Sequence, residues 1–284
     1  MISFNMRIIS RSLLVGAAAL ITVWGSPLLA QPDAEQSQTP TGESHTLFEN
    51  PPRWLIDIPT AGTLKRGYFD MGVRIYPNGG GLGFTNIGLS NRFTVGLAFG
   101  GEGVISNVSP NWNPRIGFSL KFRLIDESMY IPAISVGYCD QGDGRYDKQY
   151  KRYAYKSRGF YAVASRGFNA YRWAASWHGG VNFSTENSVD RDKSVNFFVG
   201  MDATFDYNLA LLLEYDLALN DNSGQQLVTE GPISGKGRGY LNFSVKWLFT
   251  RNLELEFILK DLLTNRREST TVTRGVRMTY TENF

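Results

Sequence analysis

Chemistry at a protein site needs titratable or nucleophilic groups that can meet, and this 284-residue chain offers few. Its two histidines are His45 and His178. His45 lies in a polar stretch near the start, so acid–base work falls to His178. Ser176 shares a strand face with it, but side chains at i and i+2 stand about 7 Å apart. A nucleophile and its base must approach to ~3 Å. A hydrolase centred on His178 would therefore need partners from other strands, such as Asp202 or Asp206. The simpler reading is one polar side chain on an inward face. A metal centre is not expected from one cysteine, Cys139, and two separated histidines. Gly79-Gly80-Gly81-Leu82-Gly83 precedes a strand rather than a helix, so it reads as a hairpin turn and not a phosphate loop. Gly235 to Gly239 likewise leads into a strand. No cofactor and no enzymatic activity are expected.

What remains is charge at alternate positions. One face collects Arg92, Arg115, Lys121, Arg123, Arg172, Arg238, Lys246 and Lys260. The same face collects Asp202, Asp206, Glu214, Asp216, Glu254 and Glu256. Two readings of this set stay open. It is a wall of compensating ion pairs that closes a narrow lumen, or a polar conduit or cleft for a charged solute. A second cluster sits between Asp140 and Arg158, where Arg145, Tyr146, Tyr150, Arg152, Tyr153 and Tyr155 occur together. Tyrosine faces stack on sugar rings and arginine pairs with carboxylates or phosphates. That loop reads as a glycan or lipid-headgroup contact, or as an ordinary solvated loop beside anionic lipopolysaccharide.

The elements that must hold these groups are strands. Phe93, Val95, Leu97 and Phe99 alternate with Thr94, Gly96 and Ala98. Phe118, Leu120 and Phe122 alternate with Ser119, Lys121 and Arg123. Leu209, Leu211, Leu213 and Tyr215 alternate with Glu214 and Asp216. Such strict period-two patterning argues half-buried strands, which no helix face could collect. The runs approach the roughly ten residues that a tilted strand needs to cross a bilayer.

About twelve such strands fit after Lys65. The links alternate short, as at Ser90-Asn91 and Thr250-Arg251, and long, as at Asp140 to Ser157 and Asn220 to Lys236. The first hairpin, Pro77 to Gly81, is a short link on the long side. Short turns at one end and long loops at the other mark an outer-membrane barrel. The competing soluble β-sandwich would have to bury a second set of faces rich in charge. The last strand ends in Phe284, which resembles the insertion signal of outer-membrane barrels.

Composition and targeting agree. Aromatic residues make up 13% and charged residues 19%, which excludes a disordered chain. A single cysteine excludes a disulfide scaffold. Arg7 and Arg11, an apolar run from Leu13 to Val23, and Ala30 read as a cleaved signal peptide over 1–30. Without it the chain holds 27 basic against 26 acidic residues, so charge gives no case for a nucleic-acid partner. Residues 31–62 read as a periplasmic linker or N-terminal segment, and 63–284 as the barrel. The expected class is all-β, an antiparallel transmembrane outer-membrane β-barrel. Its expected partners are outer-membrane lipid and lipopolysaccharide.

One region is more specific than composition. Arg115 to Asp147 reads RIGFSLKFRLIDESMYIPAISVGYCDQGDGRYD, and Lys156 to Phe168 reads KSRGFYAVASRGF. Lys121, Arg123, Leu124, Glu127, Pro132, Ala133, Gly137, Asp140, Gly142 and Gly144, then Tyr161, Val163, Ala164 and Ser165, carry a pattern that resembles the YjbH-like outer-membrane family. The opening DIPTAGTLKRGYFDMGV is similar to that family's lead into its first strand. The resemblance spans about a quarter of the chain. It implies a non-enzymatic role in exopolysaccharide export or envelope organisation, with polysaccharide and export-machinery proteins as partners. Members of that family are often longer, with more than one region, and no catalytic residues carry over. The alternatives are a narrow general porin and a barrel hydrolase using His178.

Overall fold

The alternating runs close into a single barrel in a computed structural model. It describes residues 52–170, 173–205, 208–221, 235–267 and 269–284. The barrel strands are β1 (Tyr68–Tyr76), β2 (Gly80–Ser90), β3 (Phe93–Glu102), β4 (Gly117–Ile125), β5 (Ala133–Cys139) and β6 (Gly159–Ala170). They continue with β7 (Trp173–Phe183), β8 (Asn196–Phe205), β9 (Leu209–Asp216), β10 (Tyr240–Leu248), β11 (Leu253–Lys260) and β12 (Thr273–Asn283). Every strand pairs antiparallel with its sequence neighbours, and β1 closes on β12 from Tyr68↔Asn283 to Ile75↔Val276. The fold is thus an all-β, closed, twelve-stranded antiparallel barrel. Closure removes every sheet edge, so each backbone ladder is satisfied.

The links segregate as the alternation of lengths demands. Residues 91–92 and 249–252 turn at one end, while 103–116, 140–158 and 261–272 run long at the other. The exceptional hairpin after β1 is a three-residue connection, since Tyr76 pairs with Gly80, and it turns through Asn78 and Gly79, both with φ above 60°, as the central residues of a type I′ turn require. In the long loop after β5, Asp143–Asp147 and Arg152–Tyr155 pair as a small hairpin. The terminal residue anchors the seam. The Phe284 N–H donates to the Gly67 carbonyl at 2.9 Å, and its ring lies 5.0 Å from that of Phe69.

The exterior is apolar. Met71, Val73, Leu97, Phe118, Trp177, Val199, Leu213, Phe257 and Val276 are all exposed and point outward. Aromatic residues cluster at both margins. Phe168, Trp173, Phe205, Trp247 and Phe249 lie at the short-turn end, and Phe99, Trp112, Phe160 and Phe197 at the other. An apolar surface this continuous is not tolerated facing water. An apolar belt with two aromatic margins is the arrangement a bilayer selects.

The interior is not empty. The stretch expected as a linker over 31–62 is described from Pro52 onward, and that part lies inside the barrel. Leu55, Ile56, Ile58, Ala61 and Leu64 are at most 1% exposed. Arg53 to Thr60 folds back as a tight hairpin, with Leu55 N–H on the Ile58 carbonyl at 3.0 Å and Thr60 N–H on the Arg53 carbonyl at 3.2 Å. It enters at the short-turn end, and its tip, Ile56-Asp57, points toward the long loops. Residues 1–51, including the expected signal peptide, lie outside the described residues.

Candidate functional site

The candidate site is the lumen and the segment that fills it. A twelve-stranded barrel is wide enough for more than its own side chains, and here the plug takes that space. Its apolar side chains pack on Phe198, Leu212, Ala210, Ile258, Ala133 and Val163. Gly200 of β8 makes room for it. A Cβ there would stand 2.5 Å from Leu55 Cδ1 and 2.7 Å from Ile58 Cδ1.

The plug forms little regular structure of its own, so its backbone groups need partners. The barrel wall supplies them. Glu214 Oε2 accepts the N–H groups of Ile56 at 3.0 Å, Asp57 at 2.9 Å and Ile58 at 3.0 Å. Asn242 Nδ2 donates to Glu214 Oε1 at 2.7 Å and fixes the carboxylate. Arg277 donates to the carbonyls of Leu55 (2.5 Å) and Ile56 (3.2 Å) while Glu256 holds it from behind at 2.7 Å. Arg123 Nε and Ser135 Oγ donate to the Ala61 carbonyl at 3.0 and 2.9 Å. Lys121 donates to the Arg53 carbonyl and stands 5.1 Å from the Trp54 ring centre. The Arg53 side chain pairs with Asp70 at 2.6 Å.

At the tip, plug and long-loop hairpin meet over shared cations. Asp57 pairs with Lys260 at 2.5 Å and with Arg74 at 2.8 Å. Asp143 of the hairpin also pairs with Lys260, and lies 3.5 Å from Arg74. Arg158 donates to the Asp57 carbonyl at 3.1 Å and pairs with Asp216. Buried charges persist only when paired and hydrogen-bonded, and each of these is. Above the tip lies a cavity of about 170 Å³, and below the plug, toward the short turns, another of about 90 Å³.

His178 does acquire partners from other strands. Its Nδ1 lies 2.7 Å from Ser165 Oγ and its Nε2 lies 2.7 Å from Asp202 Oδ1. The set has the order of a nucleophile, base and orienting acid. Ser165 Oγ, however, already accepts the Ala61 N–H at 2.8 Å. With the plug seated, the serine hydroxyl holds the plug backbone at Ala61, and His178 ties that hydroxyl to Asp202.

Several expected lumen charges stand elsewhere. Arg92 sits in the turn before β3 on Asp126, and Arg115 lies before β4, 3.3 Å from Asp140. Arg238 precedes β10 and donates to the Leu263 carbonyl at 3.2 Å. All three lie beyond strand ends, where alternation no longer dictates a face. Lys246 and Glu254 pair at 3.4 Å near the short-turn end. Arg172 and Asp206 lie outside the described residues. The loop expected to display aromatic and basic groups is only partly a surface. Arg152, Tyr153 and Tyr155 are buried, Arg152 against Asp221 at 2.6 Å and Tyr155 against Tyr240 with ring centres 5.0 Å apart. Arg145, Tyr146 and Tyr150 are half-buried. Burial folds half of the cluster inward as a lid.

That lid carries a perturbed acid. Glu186, in the loop after β7, accepts the N–H groups of Tyr153 and Ser157 at 3.3 and 3.2 Å through Oε2. Burial pushes its carboxyl up to about 7, against the pull of Arg152. Its Oε1 makes no hydrogen bond.

Arg158, Arg277 and the plug itself are functional groups outside the expected lumen set, as are Asp70 and Arg74, although alternation with Phe69, Met71, Val73 and Ile75 already turns those two inward. The signal for the plug was the dense apolar run Trp54-Leu55-Ile56 within a polar segment. The motif residues Lys121, Arg123 and Ser165 and the stretch Asp57 to Gly62 are now seen to be plug and plug seat.

No family model matches the chain, nor does any curated protein sequence. Solved structures similar to it are barrels. The KdgM porin shares 12% identity over 76% of this chain and 99% of its own, with a TM-score of 0.41. The Acinetobacter baumannii outer membrane protein Omp33 shares 10% over 78% and 99%, with a TM-score of 0.43. An outer membrane channel from Pseudomonas putida F1 shares 12% over 78% and 97%, with a TM-score of 0.43.

Proposed function

We propose that the chain is an outer-membrane barrel whose lumen is a narrow solute channel, held shut in this conformation by the hairpin at Arg53–Thr60. The apolar belt with its aromatic margins supports the membrane placement. The observation that carries the channel reading is the way the plug is seated. It is fixed by side-chain contacts to a polar wall, chiefly the three N–H groups on Glu214. An apolar core would have filled a permanently closed barrel with less desolvation of charge. Cavities on both sides of the plug leave a path that its withdrawal would join. The role in exopolysaccharide export that the family resemblance implies finds less support, since half of the proposed glycan-contact loop is buried in the lid.

Liposome swelling tests the reading. Vesicles carrying the Glu214→Ala chain should admit small sugars at rates that fall with solute size, and vesicles with the intact chain should admit them much more slowly. Equal impermeability of both, with the barrel folded, would overturn it.

A further inference from the structure

We infer that the cavity above the plug tip is a binding site for a small neutral polyhydroxylated solute of about monosaccharide size. The cavity of about 170 Å³ has room for roughly ten waters, or for one compact ring. Four buried polar atoms on its lining residues make no hydrogen bond, Arg74 Nη2, Ser157 Oγ, Asp143 Oδ1 and Asp221 Oδ1, and the last of these is ion-paired with Arg152 at 2.6 Å, which leaves the first three for a ligand. Arg74 is 7% and Ser157 1% exposed, so neither is a surface group. Arg74 Nη2 can only donate, the carboxylate oxygen can only accept, and the serine hydroxyl can do either. A ligand that satisfies them must both donate and accept at short spacing, which adjacent hydroxyls do.

Charge decides against an ion. The cavity is lined by Asp57, Asp143, Asp216 and Asp221 and by Arg74, Lys156, Arg158 and Arg277, four of each sign. Asp57, Asp143 and Asp216 are already paired with Lys260 or Arg158. An added carboxylate or ammonium would find no excess opposite charge to offset its desolvation. A neutral polyol meets the unpaired atoms without that cost. The rings of Phe84 and Trp54 on the same lining offer apolar surface to the carbon face of such a solute, while Lys260 already stands over Tyr155 at 3.8 Å. A solute bridging Arg74 and Asp143 would engage the same two groups that tie the plug tip to the lid.

This inference deepens the channel reading and is measured without it. The folded full-length chain in detergent micelles is titrated with glucose, galactose, mannose and arabinose to high millimolar concentration, with gluconate as the anionic control. Tryptophan emission is followed, and Trp54→Phe identifies the responding residue. At least one neutral sugar should give a saturable change that Trp54→Phe abolishes. Ser157→Ala, which breaks no existing hydrogen bond of that side chain, should weaken binding about fivefold, the worth of one neutral hydrogen bond. No saturable response to any sugar, or tighter binding of gluconate than of every sugar, would overturn the proposal. Failure here with size-dependent liposome swelling intact sinks the solute site alone. Binding here with no swelling sinks the channel.

Discussion

Glu214→Ala is the perturbation whose consequence is best fixed by the geometry. The carboxylate accepts three plug N–H groups at 2.9–3.0 Å in a fully buried position. Hydrogen bonds to a charged group contribute about 1.5–3 kcal/mol each. Alanine deletes all three, but it also opens space beside Asn242 into which water from the adjoining lumen can move and partly replace them. A net loss of about 3 kcal/mol in plug seating is the expected remainder, roughly a 150-fold rise in the unseated fraction. Hydrogen exchange reads this directly, because opening free energy sets the amide exchange rate. Amides of Ile56, Asp57 and Ile58 should exchange about a hundred times faster in the variant, while those of β7 and β8 keep their protection. Unchanged exchange over 53–60 in a folded variant would refute the claim that Glu214 holds the plug.

Three further outcomes follow from the same contacts. Gly200→Val should displace the plug by filling the space of Leu55 and Ile58, seen as faster exchange over 53–60 with the barrel still heat-modifiable on gels. The lid should respond to pH through Glu186, whose carboxyl is raised to about 7 from an ordinary value near 4.5. With the native carboxyl holding its proton more tightly, lid stability is fullest below pH 4.5 and is lost as pH rises through about 7. Amides over 143–157 should therefore be better protected at pH 5 than at pH 8, and Glu186→Gln should abolish the difference. Leu213→Lys, on the exterior and away from either end of β9, should cost about 2–4 kcal/mol of barrel stability in lipid, measured as a lower urea midpoint in vesicles. A lysine there without effect would contradict the lipid-facing assignment.

The fold was legible because a strand writes its two faces into alternate residues. Leu209 to Asp216 gives β9 and its inward Glu214 and Asp216 directly, and the alternation of link lengths gives the two ends. The partners of those inward groups were not legible. His178 meets Ser165 and Asp202 only because β6, β7 and β8 pair in one register, and the register of β7 against β8, across the long link 184–195, leaves no mark in a single sequence. Arg92, Arg115 and Arg238 were placed inside by extending alternation into turns, where it has no force. The plug was hidden for another reason. Residues 53–60 are short, contain Pro59 and have no period, so they resemble a linker until a lumen lined with matching donors and acceptors is placed around them. Tyr153 and Tyr155 misled in the opposite direction, since aromatic and basic residues in a loop serve a buried lid as readily as a surface.

Planar-bilayer conductance of the intact chain beside a chain lacking residues 52–62 tests the plugged-channel account most directly. Both must first show a folded band that shifts on boiling. The shortened chain should then give steady current steps where the intact chain gives only rare, brief ones. Folded, equally silent barrels, or equally conductive ones, would contradict it.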